Sequence, residues 1–154
     1  MMKSILRAVC PLALLALAAC STAPTKSGGG DKSVLMDRAL ERWGLLINSN
    51  PSAAWELLSP GYRETHPRNT YAEEMSRRPV RWSKVESFSP QPESPVGPVE
   101  CNDTITSCEV RLTVHFKIRS HLTSVGIIET QSVVKENWIK LKGQWYFVPQ
   151  DVVK

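Results

Sequence analysis

A strict alternation runs from Val110 to Arg119. Val110, Leu112, Val114, Phe116 and Ile118 are apolar, and Arg111, Thr113, His115, Lys117 and Arg119 between them are polar. A period of two sends these sets to opposite faces of a strand. The spacing therefore predicts a strand over Cys108 to Arg119 with one buried and one wet face. Val125 to Leu141 predicts a second long strand with its register left open. Val134, Glu136 and Trp138 share one face, and Val133, Ile139 and Leu141 the other. A bulge near Glu129 to Ser132 would reconcile them. Shorter strands are predicted over Val80 to Phe88, Val99 to Cys101 and Gln144 to Val148, the last entered through a tight turn at Lys142-Gly143. Residues 89–98 carry four prolines and one glycine, which reads as a loop.

Upstream of Pro79 the period is helical. Met36, Ala39, Leu40, Trp43, Leu46 and Ile47 form one apolar stripe, with Asp37, Arg38, Glu41 and Arg42 on the other side. A helix over Val34 to Asn48 follows, capped by Asp31 or Ser33. Asn50-Pro51 opens a second helix over Ser52 to Leu58, stopped at Ser59-Pro60-Gly61. Thr70 and Glu73 have capping-box spacing, so a third helix is expected over Tyr71 to Arg77, ended by Pro79. Helices first and strands afterwards predict an α+β domain, with helices on one face of an antiparallel sheet of four to six strands.

The amino-terminal pattern is of another kind. Lys3 and Arg7 precede an apolar run from Pro11 to Ala19, the layout of a secretory signal peptide. The run is short for a bilayer span, which needs roughly 20 apolar residues. Leu17-Ala18-Ala19-Cys20 at its end resembles the lipobox of bacterial lipoproteins. That resemblance implies cleavage before Cys20, diacylglycerol on its thiol and attachment to a membrane through the lipid. Ser21, where an inner-membrane lipoprotein would carry Asp, implies the outer membrane, with the protein facing the periplasm. Ser21 to Gly30 is a polar tether. The organisation expected is a signal peptide over residues 1–19, a lipidated tether over 20–31 and one domain over 32–154.

Charge and cysteines fit this address. The formal charge is +4, and removal of Lys3 and Arg7 with the signal brings it to +2. That is too little for a nucleic-acid footprint. With Cys10 discarded and Cys20 lipidated, Cys101 and Cys108 remain. They face each other across the hairpin that Asn102 to Ser107 closes, and a disulfide is expected in an oxidising compartment. Two cysteines without a His or Asp cluster make no metal site, and no cofactor motif is seen.

The helix around Arg42-Trp43, the run Leu58-Ser59-Pro60-Gly61-Tyr62-Arg63 and the terminal Trp138-Ile139-Lys140-Leu141-Lys142-Gly143-Gln144-Trp145-Tyr146 together resemble the NTF2-like superfamily. This is the cone-shaped α+β fold shared by nuclear transport factor 2, ketosteroid isomerase and SnoaL-type cyclases. The resemblance covers roughly Val34 to Pro149 and implies helices packed on a curved antiparallel sheet around a pocket. It leaves function open, because the fold hosts enzymes, binding modules and assembly subunits.

Three roles follow. An isomerase, dehydratase or cyclase needs a base in the pocket. Glu136 is the best placed, although a charge at the rim of the sheet is the more ordinary fate. His66 falls in a loop and His115 on the wet face. A carrier of a small apolar ligand would use the tryptophans, above all Trp82 and Trp138, with Tyr62 and Tyr71 as donors. A scaffold would use the outer sheet face, a basic surface of Arg111, Thr113, His115, Lys117 and Arg119, for a homodimer or an envelope protein. A second basic cluster at Arg77, Arg78, Arg81 and Lys84 suits lipid phosphates. The reading preferred is a non-catalytic binding or scaffold module.

Overall fold

The structure, a computed structural model, describes residues 28–119 and 126–150. The signal segment, Cys20 and most of the tether lie outside the described residues. Four helices precede five strands: α1 Gly28–Ile47, α2 Pro51–Trp55, α3 Pro60–Thr65, α4 Arg68–Arg77, β1 Arg81–Ser87, β2 Val99–Cys101, β3 Ser107–Arg119, β4 Ile127–Leu141 and β5 Gln144–Val148. The sheet is antiparallel in the order β1-β3-β4-β5, with β2 also pairing along β3. The expected α+β architecture, helices followed by an antiparallel sheet, is present.

Helix α1 begins earlier than the apolar stripe suggested and takes in the last residues of the expected tether. Asp31 lies in its first turn, where a negative charge suits the helix dipole. It does not cap the helix; its carboxylate accepts from Lys140 Nζ on β4 at 2.6 Å. Leu35, Ala39, Trp43 and Leu46 form the buried face of α1.

Asn50 caps α2 through Ala53 N, with Pro51 in the first turn, as its sequence requires. Pro60-Gly61, expected to end a helix, instead starts α3, since a proline at the first helical position has no N–H to waste. Helix α4 starts at Arg68 with Pro67 as its cap residue, so Thr70 lies inside it and the capping box does not form.

The β3–β4 ladder is unbroken from Ser107↔Ile139 to Arg119↔Ile127, so β4 has no bulge. The irregularity lies in β1, between Trp82 and Lys84. Val134, Glu136 and Trp138 pair with Leu112, Val110 and Cys108 on the inner face. Val133 and Leu141 are left exposed on the outer one. The Lys142-Gly143 turn has both residues at positive φ, 50° and 81°, the geometry that matches strand twist. Beside β5, Ser59 N donates to Phe147 O and Phe147 N to Leu57 O, which covers that edge with the α2–α3 turn. Cys101 and Cys108 stand opposite each other and are bridged.

Candidate functional site

The inner layer between α1 and the sheet centres on a buried ion pair. Arg42 and Glu136 are 4% and 2% exposed. Arg42 Nη2 donates to Glu136 Oε1, the Trp43 indole N–H donates to the same oxygen at 2.7 Å, and the Trp138 indole N–H donates to Oε2 at 3.0 Å. The guanidinium also lies 4.1 Å from the Phe147 ring centroid. Sequence position explains the arrangement. Arg42 follows Leu35 and Ala39 by seven and three residues, so helical spacing brings it to the buried face. Glu136 is inward because Val134 and Trp138 are. The sequence reading placed Arg42 with the solvated charges and Glu136 at the rim, and both are corrected to the core.

Tyr71 on α4 is buried near this pair. Burial raises its hydroxyl pKa, and the neighbouring Arg42 guanidinium opposes the rise. Trp138, expected beside a cavity, is fully buried and donates to Glu136. Tyr62 packs against the same core and is stacked on His66 with 3.8 Å between ring centroids. Of the five expected pocket residues, Glu136, Trp138 and Tyr71 therefore gather around one closed polar network. Trp82 touches it through Trp43, edge to face at 5.3 Å.

Trp82 is also where the core opens. It forms part of the wall of two clefts, each about 290 Å³. One runs toward Leu46, Pro51 and Met75. The other is apolar and lies over the inner face of the sheet, floored by Trp43, Val114, Phe116 and Val134. Glu136 lines neither cleft.

The outer sheet face is not the basic surface expected. Arg111 is 7% exposed. It donates to Gly97 O and Glu100 Oε2, each at 2.9 Å, and is also paired with Glu109. This bonding ties the proline-rich loop to β3 and holds the Glu100 carboxyl below its ordinary pKa. His115 meets Glu86 at 2.9 Å and Lys117 meets Glu129 at 2.6 Å. The Glu86 carboxyl is held low by Lys84 and then by His115, and Glu129 by Lys117. The side chain of Arg119 lies outside the described residues.

In the second basic cluster, Arg77 pairs with Glu73 and Lys84 with Glu86. Arg78 and Arg81 are exposed and form no ion pair among the described residues. Among the described residues, no group of three His, Cys, Asp or Glu side chains could hold a metal. Arg42, Phe116 and Val134 were missed as site residues. The alternation along β3 already pointed Phe116 inward.

No family model matches the chain, and no curated protein matches it. Among solved structures it is similar to a SEC-C motif containing protein from Rhodopseudomonas palustris, at 11% identity and a TM-score of 0.52. The match covers 80% of this chain and 89% of that one. At that identity the likeness is one of fold.

Proposed function

We propose that the chain is a lipoprotein of the outer membrane, facing the periplasm, whose single NTF2-like domain is a non-catalytic binding or scaffold module. The lipobox at Leu17 to Cys20 supports the anchor, and the bridged Cys101–Cys108 pair suits an oxidising compartment. Helices laid on an antiparallel sheet, with Trp138 and Trp145 buried between them, fit the NTF2-like frame.

The observation that carries the non-catalytic part is the state of Glu136. A general base must reach the proton it removes. Both oxygens of this carboxylate are engaged by Arg42, Trp43 and Trp138, away from either cleft. The surface left for a protein partner or a second copy is the outer face, where Val133 and Leu141 are exposed among paired charges.

The experiment is cell fractionation of Cys20→Ala beside the unaltered chain, followed by native mass spectrometry of the material released. The unaltered chain is expected to stay with outer membranes through a high-salt wash and the variant to leave them. The freed chain is expected to carry extra mass, from a partner, a second copy or a small ligand. A variant that stays with membranes overturns the anchor, and a bare monomer overturns the binding role.

A further inference from the structure

The inner face of β3 and β4 is not covered along its whole length. Cys108, Val110, Leu112 and Val114 are buried. Beyond them Phe116 is half-buried, and Ile118 and its partner Ile128 are 40% and 44% exposed. The apolar cleft of about 290 Å³ opens at Phe116, short of the two isoleucines. Its floor is Trp43, Val114, Phe116 and Val134, and its near wall is Pro79 and Val80 from the α4–β1 connection with Trp82 of β1. The two exposed isoleucines extend the apolar surface along the hairpin. An apolar surface of this kind costs free energy when it is left in water.

The near wall also carries a cation with no ion pair among the described residues. Arg78 lines the cleft, with its guanidinium 5.9 Å from the Trp82 ring centroid. It meets no carboxylate among the described residues, while Arg81, the first residue of β1, lines the other cleft. On the sheet, Arg111 is paired with Glu100 and Glu109, Lys117 with Glu129, and Lys84 with Glu86. An apolar trough with the Arg78 guanidinium at its wall complements a molecule with a hydrocarbon tail and an anionic head. The volume sits at the bottom of the range for ligand pockets, which suits one chain rather than two.

We propose that this cleft binds a single-chain anionic amphiphile of the fatty-acid class, with its tail over Trp43 and Phe116 and its carboxylate at Arg78. The inference rests on the binding role above and not on the anchor.

The test uses the full chain made by cell-free synthesis under oxidising conditions, which leaves it unacylated. The probe is laurate, kept below its micelle-forming concentration and followed by tryptophan emission. Saturable one-to-one binding is expected. Dodecyltrimethylammonium, with the same tail and a cationic head, is expected to bind about tenfold more weakly. Arg78→Gln is expected to cost laurate about fivefold and to leave the cation bound as well as before or better. Phe116→Glu is expected to abolish laurate binding; Ile128→Glu, at an exposed rim position, does the same work if the first variant fails to fold.

Absence of saturation, equal affinity for the two head groups, or full affinity in both glutamate variants overturns the proposal. So does sedimentation with phosphatidylglycerol vesicles that ignores Phe116→Glu and Ile128→Glu while laurate is not bound, because Arg78 then serves a membrane surface. A chain that recruits a protein partner without binding laurate loses this inference and keeps the binding role; a chain that binds nothing loses both.

Discussion

The two ends of the β3–β4 pair carry similar sequence and meet different fates. At the Trp138 end, inward side chains lie under α1, and even a charge there is out of water: Glu136 is 2% exposed and held by three donors. At the Ile118 end the alternation continues unchanged, yet Ile118 and Ile128 face solvent. Alternation decides which face a residue takes, and the covering helix decides whether that face is dry. The closed end has little room for chemistry, and the open end has room and unneutralised charge beside it.

The comparison breaks most sharply at Arg42. Arg42→Met leaves Glu136 buried without its cation and is expected to cost about 3–5 kcal/mol in urea unfolding. Adding Glu136→Leu is expected to restore most of that loss, because an apolar pair of similar volume removes the unpaired charge. A double variant as unstable as the single one would mean that the network holds the closed end by geometry that no apolar pair reproduces.

A smaller loss is expected from Cys101→Ser with Cys108→Ser, which frees β2 from β3 at the closed end. The bridge closes a short loop, with a sequence separation of 7, and removing it is worth about 2 kcal/mol in the same assay. Laurate binding at the open end is expected to survive that change, which separates the two ends functionally.

The smallest effect concerns the outer face. Lys117 holds the Glu129 carboxyl below its ordinary value of 4.5. A carboxyl lowered in the fold stabilises above its unfolded pKa, and that contribution disappears as pH falls through the folded one. Melting temperature is therefore expected to fall on acidification below 4.5, with a shallower fall in Glu129→Gln. High salt, which screens exposed pairs, is expected to reduce the difference. An identical acid profile in the variant would show that the pair contributes nothing to the fold.

Much of the fold is legible in the chain, and the reason the rest is not lies in specific residues. Val110 to Ile118 declares its faces because every second residue agrees. Strand β4 does not, since Val133, Ile139 and Leu141 are apolar on the outer face, and pattern alone invited a bulge that the ladder does without. Helix α3 was hidden behind Pro60-Gly61, a pair that begins some helices and ends others. Arg42 and Arg111 were both assigned to water by their charge. Each is buried because a carboxylate from another element meets it, Glu136 across 94 positions and Glu100 across 11. The spacing Leu35, Ala39, Arg42, Leu46 did carry the signal for Arg42. Trp82 lines a cleft, while Trp138 is held inward against the very carboxylate expected to line one.

The contacts that join α1 to the last strands bear on when this chain can fold. Arg38 Nε reaches Trp145 O at 3.0 Å across 107 positions, and Lys140 reaches Asp31 across 109. A polypeptide synthesised only as far as β3 has the helix, but its arginine has no carboxylate and its apolar stripe has half a sheet to rest on. Such high contact order slows folding and delays the cooperative step until the final hairpin has been made. Until then the chain remains open to proteases and chaperones, so its survival in the cell depends on how quickly its two ends find each other.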